Sequence, residues 1–505
     1  MLATRNVEEV QRHRLSGLLR RASRTEFGVQ HKISPAWDYE TFSSALPVTD
    51  FSHWEPLVEE QRCHPERSVI SGRASRYEPT SGSTACRKWI PYTPAFLAEL
   101  DAASAPWIYD MGSIYPDILR GRHYWSLSWM PDELRGPHGP GSTDDLRLFP
   151  WWKRGLLGRT MAVSAQVALA PTLEQSMEET LFQLVTCREL SFISVWSPTF
   201  ALELLTRVGR HRDALAQRAT ETGHYQVAAL LDDWKGELSA PFFEALWPNL
   251  ALVSAWDTST SARYARHLQA LLGHARFQGK GLWATEGVVT IPLGDAYLLA
   301  INSHFYEFRC LDTEEVLPCW KLEEGMVVQP ILSTGSGLFR YALLDRLRVS
   351  GFVEKCPTFE FLGRIGGSDM VGEKLDVALV EDVLADVSKQ LGVHAICLFA
   401  QEEGPAGNPR YVLLAEGRTE TLGSVEALTE TRLMEIHHYA LARQMGQLEG
   451  AGAIVSPSAL RLYMEQTGAG SAGQGSRKVE ALGCLPMPLA EFVEDLSAGK
   501  ETSQR

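Results

Sequence analysis

Hydrophobic positions open the chain at helical spacing. Val7, Val10, Leu15, Leu18 and Leu19 share one face, which predicts an amphipathic helix over residues 6–24. Residues 25–73 mix short helices and loops. A short strand at 74–78 leads into a polar run, and a helix follows at 94–103. An alternating aromatic segment predicts a strand at 124–129, and the Gly- and Pro-rich 131–143 predicts an exposed loop. Helices at 173–190 and 198–208 then flank a buried strand at 192–196. Helix 240–247, strand 250–256, helix 259–272 and strand 280–285 continue the series. This alternation predicts an α/β fold with a largely parallel sheet.

After Val288 the period shortens. Strand-like pieces at 289–292, 296–301, 306–309, 326–332, 337–341 and 346–351 predict a smaller, mostly antiparallel section. Four glycines within 363–372 mark a hinge. Beyond it come a helix at 376–391, strands at 394–400 and 411–415 around a turn at 404–409, a long helix over 424–445, a strand at 451–455 and a helix at 458–467. The expected organisation is a large N-terminal domain (1–362), a hinge (363–372) and a small mobile C-terminal α/β domain (373–505).

Composition narrows the function classes. A chain of 505 residues exceeds one growing core, which agrees with more than one domain. A net charge of −14 disfavours broad nucleic-acid binding but permits a local cationic pocket. Eight scattered cysteines include no C-x-x-C, so zinc spacing is absent and a reduced, cytoplasmic setting is expected. No apolar run approaches the roughly 18 residues of a membrane span, so no membrane partner is expected.

Candidate chemistry centres on EPTSGSTACRKWIPYT at 78–93. Dense hydroxyls and backbone N–H groups, a flexible glycine and flanking cations make a phosphate cradle, though a polar turn would read the same way. Later stretches are WATEG at 283–287, GLFRYALLDRLRVSGF at 337–352 and FEFLGRIGGSDMVGEKL at 359–375. Thr285–Glu286 alone reads as a turn, and Asp345 as a surface carboxylate paired with Arg340, Arg346 or Arg348. Adjacent His437 and His438 on a helix point to different faces, which favours packing and surface exposure over a shared metal. A formal G-x-G-x-x-G at 468–473 follows a helix pattern, so it is no dinucleotide fingerprint. Nucleophile-elbow, zincin and Walker-type patterns are absent. Trp125, Trp129, Trp196, Phe200 and Trp256 offer stacking surface for an aromatic acid, with Trp129 and Trp196 as the chosen pocket residues.

The ordered set resembles the acyl-acid amido synthetases, which conjugate plant hormones such as jasmonate and indole acetate to amino acids. They sit within the adenylate-forming superfamily of acyl-CoA synthetases, luciferases and peptide-synthetase adenylation domains. RTEFG at 24–28, SALPVTDF at 44–51, WSPT at 196–199, PTFEFLGR at 357–364 and GEKL at 372–375 belong to the same set. The resemblance implies a ligase that uses ATP and Mg²⁺ to adenylate a small carboxylic acid and passes the acyl group to an amine, an amino acid in the first instance. Ser81, Gly82, Ser83 and Thr84 match its phosphate loop, Thr285 a hydroxyl near the α-phosphate and Glu286 a Mg²⁺ ligand. Asp345 matches the ribose acid, Arg364 a ribose or phosphate contact, Tyr341 a nucleotide neighbour, and Lys478 the mobile adenylation lysine. Ala85 and Leu344 stand where the pattern has glycine, and Lys478-Val479-Glu480-Ala481 departs from its Lys-x-Pro-Arg. Two alternatives stay open: transfer to a thiol (coenzyme A or a carrier protein), or a nucleotide- or acyl-binding chain without turnover.

Overall fold

A computed structural model describes residues 2–79, 89–126, 160–258, 261–365, 367–368, 375–401, 404–444, 448–468, 479 and 481–483. These fall into two compact units that meet in sequence between Leu362 and Gly363. The architecture is α/β, with a parallel sheet, a larger antiparallel sheet and a smaller C-terminal sheet-and-helix module.

The first unit opens with α1 (Val7–Ala22), whose buried stripe is Val7, Leu15, Leu18 and Leu19 together with the polar Gln11. Gln11 is there because the turn beneath it needs a partner. Its Nε2 donates to the carbonyls of Ile301 (2.8 Å) and His304 (2.9 Å), and its Oε1 accepts from Tyr306 N–H (2.9 Å). Strands β1 (Arg76–Pro79) and β2 (Trp89–Tyr92) pair antiparallel around the polar run, residues 80–88, which lies outside the described residues. Helix α2 (Pro94–Ile114) follows, capped by Thr93 Oγ1, which accepts from Phe96 N–H. It runs well past residue 103 because its buried face continues through Ser104, Trp107 and Met111, which outweighs the internal Pro106.

The parallel sheet is β3 (Arg122–Trp125), β4 (Leu190–Ser194), β5 (Leu252–Ala255) and β6 (Arg276–Gly279), in that spatial order. Its strands are buried on both faces. Ile193, Val253 and Ala255 pack among helices that include Leu173–Thr186, Pro198–Arg210 and Ala262–Leu271. Trp125, Phe192 and Leu252 face Trp107 of α2. Two further helices between β4 and β5, Arg212–Glu221 and Tyr225–Asp233, lie in a stretch to which the sequence analysis assigns no element. The strand expected at 280–285 is instead β6, ending at Gly279, followed by the two-residue strands β7 (Trp283–Ala284) and β8 (Gly287–Val288).

The antiparallel sheet has eight strands. These are β9 (Thr290–Leu293), β10 (Ala296–Leu299), β11 (Phe305–Cys310), β12 (Val316–Pro318), β13 (Val327–Ser333), β14 (Tyr341–Ala342), β15 (Asp345–Val353) and β16 (Cys356–Arg364). They run in the order β12-β11-β13-β15-β16-β10-β9, with β14 beside β13. The strand expected at 337–341 is a loop up to Tyr341, because Gly337 (φ +98°) and Arg340 (φ +49°) leave the extended region. Arg340 turns inward to Glu307. Its Nε and Nη2 meet the two carboxylate oxygens at 2.9 Å each, and its Nη1 donates to the carbonyls of Ser43 (2.6 Å) and Leu46 (2.5 Å).

In the second unit, Gly367–Ser368 pairs with Leu375–Asp376, and a four-stranded sheet is built on the antiparallel pair His394–Gln401 and Arg410–Glu416. Gly452–Ser456 and Leu482–Gly483 join its two edges in parallel. The helix expected over 424–445 is two, Leu422–Met434 and His437–Gln444. The break lets Tyr439 and Arg443 reach back to Glu430, each at 2.7 Å.

Removing one partner of the buried Arg340–Glu307 pair strands a charge in the core. Glu307→Ala is expected to cost about 3–5 kcal/mol in urea unfolding, and Glu307→Leu/Arg340→Met less than either single change. A loss below about 1 kcal/mol for Glu307→Ala would show that the pair does not hold the fold.

Candidate functional site

Thr285 and Glu286 form the two-residue tip of the β7–β8 hairpin, and both side chains are partly exposed. Two phenols hold this tip. Tyr341 Oη donates to Glu286 Oε1 (3.2 Å), and Tyr92 Oη donates to the Thr285 carbonyl (3.2 Å). Tyr341 is itself buried, paired through its backbone with Leu332 and bridged to Thr49.

The base of the hairpin rests on a buried polar network. Val288 N–H donates to His304 Nε2 (3.1 Å), so the ring proton is on Nδ1, which donates to Glu99 Oε2 (2.8 Å). The same oxygen accepts from Gly335 N–H (2.7 Å), and Glu99 Oε1 accepts from Arg21 Nη2 (3.2 Å). Thr93 Oγ1, the cap of α2, also donates to the Gly335 carbonyl (2.7 Å). Tyr306 Oη donates to the carbonyls of Val288 (2.7 Å) and Ala300 (3.0 Å). The N-terminus of α2, the hairpin and the loop after β13 are thus fixed to one carboxylate. Glu99, His304, Tyr92 and Tyr306 were not among the residues singled out from the sequence. The legible signal was Glu99 itself, an acid on the apolar stripe Phe96, Leu100, Ala103 of α2.

Asp345 opens β15 and is buried, three residues after β14, which carries Tyr341. Its expected surface partners are engaged elsewhere: Arg340 with Glu307, and Arg348 with Glu360 at 2.9 Å. Leu344 is exposed, and the left-handed backbone that a glycine would favour occurs instead at Arg340. Trp196, partly exposed, has its ring 5.7 Å from that of Trp283 and 5.8 Å from that of Trp256. The structure therefore brings Glu286 and Tyr341 into contact and joins Trp196 to the same hairpin through Trp283. Arg364 ends β16, and its side chain is outside the description. Ser81, Gly82, Ser83, Thr84, Trp129 and Lys478 lie outside the described residues, as does most of the 468–473 loop.

Among the described residues no group of three or more His, Cys, Asp or Glu is placed to hold a metal ion. A single carboxylate aimed by a phenol, as Glu286 is, fits a hard cation that takes its remaining ligands from phosphate and water. Burial pushes the thiols of Cys319 and Cys356 up, the latter to about 12, so neither is a thiolate nucleophile near neutral pH. No helix among the described residues is long and apolar enough to cross a membrane.

Comparison with known proteins adds a family. Residues 1–277 match the GH3 family N-terminal domain, and residues 297–364 the GH3 family central domain. The chain is 29% identical over 143 residues to a probable indole-3-acetic acid-amido synthetase GH3.9 of Oryza sativa subsp. japonica, covering 26% of this chain and 31% of that one. It is 30% identical over 194 residues to the probable GH3.11 enzyme of the same rice, again covering 31% of its length, so the match spans about a third of each of these two relatives. A longer match, 24% identical over 389 residues, covers 72% of this chain and 79% of the putative rice GH3.10 enzyme. The solved structure of a GH3.15 acyl acid amido synthetase superposes with a TM-score of 0.80 at 16% identity, covering 98% of this chain and 94% of that one. At that identity the superposition establishes the fold.

Gly335 has no room for a side chain: a Cβ would lie 2.8 Å from Phe96 N and 2.9 Å from Glu99 Oε1. Gly335→Ala is expected to lower stability by about 1–3 kcal/mol. Because the displaced groups support the hairpin, it should also weaken ATP binding in calorimetry. ATP affinity unchanged alongside lowered stability would detach the network from the site.

Proposed function

This chain belongs to the GH3 family, and on that premise we propose that it is an ATP-dependent ligase joining a small carboxylic acid to an amine, most simply an amino acid. The reading rests above all on one observation: Glu286 stands at a hairpin tip with its carboxylate held by Tyr341 Oη. The curated relatives are named as indole-3-acetic acid-amido synthetases, which supports an acid and an amine as substrates.

The reaction has two steps. A carboxylate oxygen attacks the α-phosphorus of ATP, forming an acyl-adenylate and releasing pyrophosphate. An amine then attacks the acyl carbon, AMP leaves, and the nitrogen loses a proton to give the amide. The first step brings two anions together, so the chain must supply donors that are fixed before the substrates arrive. In this reading the Ser81–Thr84 loop cradles phosphate with backbone N–H groups, and Thr285 offers its hydroxyl beside the α-phosphate. Asp345 accepts from the ribose hydroxyls, and Arg364 contacts ribose or phosphate. Glu286 would hold Mg²⁺, which supplies neutralisation of phosphate charge when bound. Residues 373–505 are proposed as the lid carrying Lys478, with 363–372 as its hinge, in a cytoplasmic enzyme.

Acid-dependent exchange of labelled pyrophosphate into ATP tests the first step, and product mass with amino acids tests the second. Exchange with no acid in a broad panel, or products formed with coenzyme A alone, would overturn the reading. Asp345→Ala should raise the KM for ATP about 10- to 100-fold while leaving that for the acid within about threefold. Glu286→Gln should reduce exchange at least about 10-fold at limiting Mg²⁺ and recover partly at high Mg²⁺. Equal rates at limiting Mg²⁺ would remove Glu286 from the site. Lys478→Ala should slow adenylate formation and spare aminolysis of a preformed acyl-adenylate. Retention of both steps would assign the adenylation lysine elsewhere.

A further inference from the structure

Arg76 is a cation that β1 turns inward and leaves short of acceptors. Its side chain is only 10% exposed. Glu78, two residues along the same strand and so on the same face, brings Oε1 to 2.5 Å from Nε. That approach is an ion pair without the alignment of a hydrogen bond: Nε is fully buried and donates to nothing. Among the described residues no oxygen accepts from Nη1 or Nη2. A guanidinium carries five N–H groups, and withdrawing them from water against one misaligned carboxylate costs free energy. As a staple for β1 the pair is poorly made.

Position gives the arrangement a different sense. Hairpin register sets Arg76 opposite Tyr92, and its guanidinium stands over the Tyr92 ring, 4.9 Å from the centroid. The phenol end of that ring is at the β7–β8 tip, where Tyr92 Oη donates to the Thr285 carbonyl at 3.2 Å. One tyrosine ring thus separates the cation from the tip that carries Thr285 and Glu286. The ring itself is held from two sides. It packs edge-on against Phe96 at 4.9 Å, and the next residue, Thr93, caps α2 and donates to the Gly335 carbonyl at 2.7 Å. Arg76 is therefore a fixed positive charge at a set distance from the hairpin tip.

We propose that Arg76 binds the triphosphate of ATP beyond its α-phosphate, with Nη1 and Nη2 as the fork for the oxygens that leave as pyrophosphate. A planar guanidinium lying on an aromatic face matches phosphate oxygens two at a time. Length selects the ligand. The attacking carboxylate and the α-phosphorus have to meet at one point, beside Thr285 in the reading above, whereas Arg76 lies across a tyrosine ring from that tip. An anion that reaches both places is extended, and the triphosphate is the extended anion of this reaction. Negative charge grows on the departing pyrophosphate in the first step, and a cation already in place stabilises it without rearrangement. Glu78 holds the guanidinium through its Nε side, and the Nη side is left for phosphate. Naming pyrophosphate as the leaving group rests on the ligase reading; affinity of the Arg76 site for a polyphosphate anion does not.

The test titrates the full-length protein with ATP, inorganic pyrophosphate and AMP, each with Mg²⁺, by calorimetry. ATP and pyrophosphate should bind saturably. Arg76→Gln should weaken both about 10- to 100-fold and leave AMP within about threefold. Arg76→Lys keeps the charge and loses the fork, so it should recover part of the loss. If Arg76→Gln does not fold because Glu78 is left buried, the double variant Arg76→Gln/Glu78→Gln removes both charges and decides the matter. Absence of ATP and pyrophosphate binding, unchanged affinity for both in the variants, or an AMP loss as large as that of ATP would overturn the proposal. So would a raised acid KM with ATP and pyrophosphate affinity retained, which would assign Arg76 to the carboxylate. Pyrophosphate exchange separates the proposal from the ligase reading. Arg76-dependent polyphosphate binding without exchange on any acid keeps the site and removes the ligase. Exchange whose pyrophosphate KM ignores Arg76→Gln keeps the ligase and removes the site.

Discussion

The carboxylate of Glu99 is the constraint on which the β7–β8 hairpin and the segments around it depend. It is buried and accepts from a guanidinium, an imidazole N–H and a backbone N–H, donated by α1, the turn after β10 and the loop after β13. None of these segments forms a regular ladder with another at this point, so the carboxylate does the work of secondary structure between them. A buried anion satisfied on both oxygens is stable only in one arrangement of its donors. That arrangement sets the height of His304, and His304 Nε2 in turn sets Val288 and the β7–β8 hairpin. The hairpin tip is exposed and short, yet its base has little freedom. A site that must stabilise developing charge without rearranging needs this division: reactive groups at the surface, held from below by groups that cannot move.

The same logic accounts for short stretches that resemble family signatures and carry no chemistry. In SALPVTDF, Thr49 Oγ1 donates to the Phe339 carbonyl (3.0 Å) and accepts from Trp54 Nε1 (2.7 Å), while the Leu46 carbonyl, with that of Ser43 just before the stretch, takes the Arg340 guanidinium. In RTEFG, Phe27 stacks on Phe339 at 6.2 Å and packs on Trp54 at 4.9 Å. Both stretches grip the segment just before Tyr341, and Tyr341 is what reaches Glu286. A residue pattern that looks catalytic when read as a string is here a clamp on the backbone that presents Tyr341 to Glu286.

Much of this was legible in the chain, and the rest was hidden for identifiable reasons. Helical and alternating periods located α1, three of the four strands of the parallel sheet and the change to short antiparallel strands after Val288, because each follows from burial of side chains at a fixed period. Boundaries failed where a tertiary partner overrode the local pattern. Residues 337–340 alternate like a strand, but Arg340 has to turn inward to meet Glu307. The pattern at 424–445 is helical throughout, but Glu430 draws Tyr439 and Arg443 back across a break. Glu286, Tyr341 and Trp196 were readable as residues with a motif around them. Glu99, His304 and Lys280 were not, since their roles come from partners 205, 16 and 86 positions away.

Lys280 shows most sharply what a linear pattern omits. In sequence it opens the strand expected at 280–285, and nothing in the pattern marks its side chain. In the fold it is an ammonium withdrawn from water, a transfer that costs several kcal/mol before compensation. Cation–π contacts with the indoles of Trp107, Trp125 and Trp196 return part of this, about 0.5–2 kcal/mol each at best, and the Ser194 hydroxyl returns somewhat more. A leucine at 280 would pack against Trp107, Trp125 and Trp196 without that cost, and would need no row of Ser194, Ser254 and Gln278 below it. Three polar residues in register on three adjacent strands, with Lys280 two residues beyond them, are a costly way to build a core.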